Sequence, residues 1–171
     1  MANRLETTVA SLILLGCVSC DQVTKQIAVE HLAGRPPRHH WGGLLTIRYE
    51  ENTGAFLGLG AGWPESLRLA VFVVCTAIAL AAVAWVLVRR CPVSSAARLG
   101  LLLVLAGGLG NLVDRVRLGH VVDFLNVGVG RVRTGIFNVA DMAIMAGAVL
   151  LLFAPSFAAE RPKPALPSDG A

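Results

Sequence analysis

Four long apolar segments constrain the fold of this chain more than any other feature. A helix needs about 20 mostly apolar residues to cross the roughly 30 Å hydrocarbon core of a bilayer. The segments at 8–31, 69–88, 96–113 and 136–157 meet that requirement. We therefore predict an all-α membrane protein with four transmembrane helices, built as one domain over residues 1–160. Residues 161–171, which contain Pro162, Pro164 and Pro167, are predicted to be a disordered cytoplasmic tail.

The composition agrees with a membrane protein. Of the 171 residues, 55% are hydrophobic and only 15% are charged, whereas a soluble domain carries about a quarter charged residues. The net charge of +4 is dispersed along the chain. Without a basic stripe interleaved with aromatic residues, this charge favours contact with lipid head groups over nucleic acid.

The distribution of arginine indicates the orientation of the chain in the membrane. Arg89, Arg90 and Arg98 lie in the short connection between the second and third segments, which predicts a cytoplasmic loop and, with four crossings, both termini on the cytoplasmic side. The connection between the third and fourth segments is also basic, with Arg115, Arg117, Arg131 and Arg133. The positive-inside rule is therefore only partly obeyed.

The two loops predicted on the outer side contain strand-forming residues. Residues 44–49 and 127–132 are rich in β-branched and aromatic or aliphatic side chains, although Gly128 and Gly130 interrupt the second run. We predict that they form a small β-sheet at the membrane surface. The sequence Asn52-Thr53-Gly54 is typical of a turn.

Two aspartates border the apolar segments of a chain that has few carboxylates. Asp141 opens the last apolar run, and Asp123 is predicted to lie in a loop between Val122 and Phe124. A charge at the margin of a membrane helix is costly and usually functional. Two carboxylates that meet in a low-dielectric site share a proton, as in aspartic proteases. The alternatives are structural: Asn138 as an N-cap with Asp141 in the first turn, and Asp123 as an ordinary turn residue.

Other polar residues occur at helical spacing near the same segment ends. Asn111, Asp114 and Arg115 share one helical face, and the simpler interpretation is an interfacial anchor with a local ion pair. Asp21 and Lys25 are four residues apart, which predicts an intrahelical salt bridge that lowers the cost of burying them.

The cysteines suggest ordinary packing residues rather than a metal or redox site. Cys17 and Cys20 have C-x-x-C spacing, but Cys75 and Cys91 do not form a second pair, and no histidine cluster accompanies them. The sequence Leu14-Leu15-Gly16-Cys17 raises another possibility, a lipobox that would make the chain a lipoprotein precursor. The three apolar segments that follow argue against it.

Four blocks, taken in order, resemble lipoprotein signal peptidase, also called signal peptidase II. They are Asp21-Gln22-Val23-Thr24-Lys25, Asn52-Thr53-Gly54-Ala55, the pair Gly107–Arg115 and Gly119–Phe124, and Phe137-Asn138-Val139-Ala140-Asp141. Each lies at the outer end of a predicted span or in an outer loop. The second block departs from the family's usual Asn-x-Gly-Ala-Ala-Phe, because Phe56 replaces an alanine and Leu57 replaces the aromatic residue.

The resemblance implies an aspartic endopeptidase of the bacterial inner membrane. It implies that Asp123 and Asp141 are catalytic and that no metal or other cofactor takes part. The substrates would be diacylglyceryl-modified prolipoproteins, cut just before the lipidated cysteine. The family has both termini in the cytoplasm and its active site near the outer face. We expect a monomer in contact with membrane lipid.

Seven further residues are expected to support the reaction. Asn111, Arg115 and Asn138 would orient the aspartates and the scissile carbonyl. Asn52, Gly54, Asp21 and Lys25 would support the outer loops and the peptide. The alternative function is a non-enzymatic four-helix transporter or assembly factor that uses the polar residues as an ion path. Their clustering at one membrane face argues against such a path.

Overall fold

Four apolar helices and a small antiparallel sheet make up the fold, as predicted. The computed structural model describes residues 2–54, 63–89, 91 and 93–154. The helices are α1 (Ala2–Leu32), α2 (Glu65–Val88), α3 (Ser95–Leu118) and α4 (Val139–Phe153). By length and composition, α1, α2 and α3 could each cross a membrane. The 15 residues of α4 span about 22 Å, and the predicted tail and residues 155–157 lie outside the described residues.

Helices α1 and α2 begin at Ala2 and Glu65, before the predicted starts at residues 8 and 69. Two further boundaries differ from the prediction for identifiable reasons. Helix α3 continues past Asp114 and Arg115 to Leu118, and it ends where Gly119 takes a left-handed conformation with φ 82°, a common helix terminator. The predicted start of the fourth helix at Ile136 was wrong. Asn138 is extended and caps α4, so the helix begins at Val139.

Helix α3 is the central helix of the bundle. It packs against the other three helices, whereas most side chains of α1 and α2 lie on the outside of the bundle. Glycines allow this close packing. A Cβ at Gly107 would collide with the Ala140 carbonyl oxygen of α4, and one at Gly110 would lie 2.5 Å from Asp21 Oδ2 of α1. Small residues of this kind let membrane helices approach closely.

The sheet consists of strands β1 (Arg38–His40), β2 (Leu45–Asn52), β3 (Val121–Val129) and β4 (Val132–Arg133). They are antiparallel in the order β1-β2-β3-β4. This confirms the predicted sheet, but β3 begins six residues before the run at 127. The prediction of a loop around Asp123 was therefore wrong, because Asp123 lies within β3 and is aligned with Glu50 of β2.

A hydrophobic cluster attaches the sheet to one end of the bundle. Ala28 and Leu32, near the end of α1, pack with Val122 and Phe124 of β3. Because β3 follows α3 after a two-residue connection and α4 begins shortly after β4, the C-terminal end of α3 and the N-terminal end of α4 lie at this same end. The candidate site residues from the sequence analysis lie on these elements and on the neighbouring parts of α1 and β2.

Candidate active site

Asn138 connects the two aspartates directly. Its Nδ2 donates to Asp123 Oδ1 at 2.7 Å, while its Oδ1 accepts the backbone N–H of Asp141 at 2.9 Å. The backbone N–H of Asn138 in turn donates to Asp141 Oδ2 at 3.1 Å. The predicted cap is thus confirmed as a complete capping box. The same side chain also brings Asp123 to the start of α4, so capping and a role at the aspartates are compatible.

Asp123 is almost completely enclosed, with 2% of its surface exposed. Besides the bond from Asn138, its Oδ2 accepts from Asn52 Nδ2 at 2.9 Å. Burial raises the pKa of Asp123 to about 6, and the charge of Asp141 acts in the same direction. The hydrogen bonds from Asn52 and Asn138 and the charge of Lys25 oppose this rise in pKa. Asp123 therefore keeps its proton to a higher pH than an ordinary aspartate does.

Asp141, like Asp123, accepts a hydrogen bond at each carboxylate oxygen, but it is only partly buried. Asn111 Nδ2 donates to its Oδ1 at 2.8 Å, and the backbone N–H of Asn138 donates to its Oδ2. Asp141 also lies in the first turn of α4, where the helix dipole favours negative charge. This arrangement suits a carboxylate anion.

Lys25 provides a buried positive charge behind the aspartates. Its Nζ lies 2.9 Å from Asp21 Oδ2 and 2.9 Å from Asp114 Oδ2, and it donates to Asn111 Oδ1 at 2.8 Å. The predicted salt bridge between Asp21 and Lys25 is therefore confirmed. The simpler interpretation of the Asn111, Asp114 and Arg115 face was a local ion pair, whereas the salt bridge of Asp114 joins it to Lys25 of α1.

The remaining predicted residues lie around this centre. Arg115 is half-buried and donates to the Asn111 carbonyl oxygen at 3.3 Å. The backbone N–H of Gly54 donates to Asn52 Oδ1 at 3.1 Å, which confirms the turn and leaves Asn52 Nδ2 for Asp123. Phe56 and Leu57, where the second block departs from the family pattern, lie outside the described residues.

Asp21 and Lys25, which were expected to support the outer loops and the peptide, lie inside the bundle. They are 1% and 3% exposed and face α3 and α4 inside the bundle. Sequence reasoning also missed two partners. Asp114 and Gln22 each lie in a block that resembles the family, but neither was assigned a role. In the structure Gln22 donates to Asp114 Oδ1 at 2.9 Å.

The cysteines take no part in this cluster. All four are free thiols, and Cys17 lies within α1. Over the described ranges, no three histidine, cysteine, aspartate or glutamate side chains are grouped as metal ligands.

The fold and the buried polar cluster define a helical membrane protein with a candidate active site at one end of its bundle. The family model for signal peptidase (SPase) II matches residues 13–157, and the chain belongs to that family. A lipoprotein signal peptidase of Syntrophus aciditrophicus is 38% identical over 84% of this chain and 86% of its own length. One of Geobacter sulfurreducens is 36% identical over 81% and 86%.

Solved structures agree with this assignment. Two bacterial membrane enzymes are similar to this chain with TM-scores of 0.72 and 0.74, each at 29% identity and over 85% of this chain. The match covers 85% and 90% of their own chains. The resemblance seen in the four sequence blocks is therefore confirmed at the level of the family and the fold.

Proposed function

We propose that this chain removes signal peptides from prolipoproteins by aspartic-peptidase chemistry at Asp123 and Asp141. Membership of the signal peptidase II family supports the reaction and the substrate class. One observation carries the choice of residues: Asn138 is hydrogen-bonded to both aspartates and is itself completely buried. In the proposal, these two carboxyl groups, held by one amide residue, share a proton.

The different environments of the two aspartates suggest different roles. Asp141, which is less buried than Asp123 and lies in the first turn of α4, where the helix dipole favours negative charge, is the ionised partner and removes a proton from the attacking water. Asp123, whose pKa burial raises to about 6, is the protonated partner and donates to the scissile carbonyl oxygen as that carbon becomes tetrahedral. On collapse of the tetrahedral species, the proton taken by Asp141 passes to the leaving amine and the C–N bond breaks.

Three neighbouring residues orient these groups in the proposal. Asn111 holds Asp141 through its Nδ2, and Asn52, fixed by its bond from Gly54, holds Asp123. Arg115 is close enough to interact electrostatically with Asp141 and Asp123. Its guanidinium is suited to hold the peptide carbonyl group beside them.

The position of the site suits a lipid-anchored substrate. The cluster lies at one end of the bundle, next to the sheet, so water reaches it while the diacylglyceryl chains of the prolipoprotein stay in the bilayer. Cleavage falls just before the lipidated cysteine. We place the enzyme as a monomer in the bacterial inner membrane, with both termini in the cytoplasm and the site near the outer face. The arginines of the loop between α2 and α3 support this orientation.

Cleavage of a diacylglyceryl-modified lipobox peptide in detergent tests the proposal. Wild type should cut before the modified cysteine, and Asp123→Asn and Asp141→Asn should each lose nearly all activity while remaining folded. Glu50→Gln is a matched control, because Glu50 is aligned with Asp123 across the sheet but is exposed and bonded to Arg48; it should cut normally. Full activity in either aspartate variant would remove that residue from the mechanism. No cleavage by wild type would favour the transporter or assembly-factor alternative.

A further inference from the structure

The ammonium group of Lys25 is the common centre of three contacts that lead to the aspartate pair. A lysine ammonium has three N–H donors. In this structure each has one acceptor: Asn111 Oδ1, Asp21 Oδ2 and Asp114 Oδ2, all at 2.8–2.9 Å. Lys25 is 3% exposed, so none of its donors is left for water or substrate.

The first contact fixes the orientation of an amide. Asn111 Oδ1 accepts from Lys25 Nζ at 2.8 Å and from Asn138 Nδ2 at 3.1 Å. A flipped amide would turn its NH₂ group toward both of these donors. The amide nitrogen must therefore face the other way, where it donates to Asp141 Oδ1. Lys25 thus determines that Asn111 presents a donor, and not an acceptor, to Asp141.

The other two contacts reach the backbone beside each aspartate. Asp21 Oδ1 accepts the N–H of Ala140, next to Asp141, at 2.8 Å, which satisfies a free donor in the first turn of α4. Asp114 Oδ2 accepts the N–H of Val122, next to Asp123, at 3.2 Å. The two carboxylates that pair with Lys25 therefore hold the two chain segments that carry the aspartates.

A structural role alone does not account for this arrangement. A buried ion cluster adds little net stability, because apolar residues of similar volume often replace it without loss. Two carboxylates and one ammonium inside a membrane helix bundle are costly. Their specific effect here is to position the aspartate pair, since the contacts of each charged group lead to an aspartate or to a residue beside one.

We propose that Lys25, with Asp21 and Asp114, is a positioning unit that fixes Asp123 and Asp141 for catalysis without touching substrate. This inference rests on the proposed function. It predicts that loss of the ammonium lowers kcat and leaves KM nearly unchanged, because only the weaker bond from Asn138 then holds the Asn111 oxygen away from Asp141.

The pH dependence of cleavage gives a readout that a purely structural role would not change. The charged groups that act on Asp123 are Lys25 from α1, Arg115 from α3 and Asp141 from α4. On β2, Glu50 is aligned with Asp123 but is exposed and paired with Arg48. The charge of Lys25 lowers the pKa of Asp123. Its removal should raise that pKa, so the pH at which activity declines on the alkaline side should move upward.

The test compares three full-length variants in detergent: Lys25→Met, Lys25→Met/Asp114→Asn and Arg117→Met. Lys25→Met replaces the lysine with an uncharged side chain of similar length. The second also neutralises one of the two carboxylates that the first leaves unpaired, and its amide oxygen still accepts the Val122 N–H. Arg117→Met is the matched control, since it removes an exposed positive charge from the same end of α3.

We expect Lys25→Met to lose roughly tenfold or more in kcat, as for a lost charge-assisted hydrogen bond, with an upward shift of the alkaline limb. Arg117→Met should change neither. Where Lys25→Met does not fold, the double variant should fold and show the same loss of kcat. A folded variant with wild-type kcat and pH profile would overturn the inference, as would failure of both variants to fold. Either result leaves the proposed function intact, because the proposed function is tested separately, by the cleavage activity of wild type, Asp123→Asn and Asp141→Asn.

Discussion

Asn138 offers a sharp test, because a single substitution separates its two roles. Serine is as good an N-cap as asparagine, so Asn138→Ser keeps an acceptor for the Asp141 N–H. Its shorter side chain has no second group to donate to Asp123 Oδ1, which Asn138 now contacts at 2.7 Å. Asn138→Ala removes both the cap and the bond to Asp123.

The size of the effect follows from these contacts. A hydrogen bond between an amide and a protonated carboxyl group is worth about 0.5–1.5 kcal/mol, which corresponds to a roughly 2- to 13-fold loss of rate if it acts in the transition state. Both variants should show this loss in kcat. Loss of the cap costs about 1 kcal/mol, so Asn138→Ala should also be less stable than Asn138→Ser by about that amount.

Two assays on the same preparations measure these effects. Cleavage of the diacylglyceryl-modified lipobox peptide gives kcat and KM, and unfolding in mixed micelles gives the stability difference between the variants. If Asn138→Ser retains wild-type kcat, then Asn138 is only a helix cap and the argument that it aligns Asp123 with Asp141 is refuted. Equal stability of the two variants would show that the serine does not cap α4, and the separation of roles would fail.

Two further predictions concern stability. Because burial raises the pKa of Asp123 to about 6, the folded state binds this proton more tightly than the unfolded state. That stabilisation is complete below about pH 4 and is lost as the pH rises through about 6. The free energy of unfolding of Asp123→Asn should therefore rise relative to that of wild type as the pH increases from about 4 to about 6. A difference between their unfolding midpoints that does not change with pH would contradict this prediction. Gly110→Ala should lower the free energy of unfolding by about 1–3 kcal/mol, because the new Cβ would lie 2.5 Å from Asp21 Oδ2. Gly16→Ala in α1 should raise it by up to about 1 kcal/mol, because a Cβ at Gly16 meets nothing within 4 Å. Equal unfolding midpoints for the two alanine variants would argue against close packing at Gly110.

The helices were predictable because their signal is local. A run of about 20 apolar residues identifies a span without knowledge of its neighbours, and the runs found in the sequence became α1, α2, α3 and α4. The boundaries were less predictable, since the backbone conformation of Gly119 ends α3 and that of Asn138 sets the start of α4. The fourth span was thus placed three residues too early.

The sheet shows a second limit of local reasoning. Strand-forming residues at 127–132 predicted a strand, but β3 extends back to Val121 because residues 121–123 pair with 50–52 of β2 and Val122 and Phe124 pack on the end of α1. These contacts join residues about 70 positions or more apart. As a result Asp123 lies in a strand, which fixes its side chain more firmly than the predicted loop would.

The polar cluster shows which part of a site the sequence leaves open. The pair Asp21 and Lys25 was predictable from helical spacing, and the family blocks identified Asp123 and Asp141. Neither signal shows that the same ammonium also binds Asp114 and Asn111, 86 or more residues away. Those contacts exist because Gly110 lets α3 approach α1 closely enough for Asp21 Oδ2 to lie against its backbone. The arrangement of charges around the aspartates is therefore a consequence of helix packing, which is why a substitution at an uncharged glycine should disturb it.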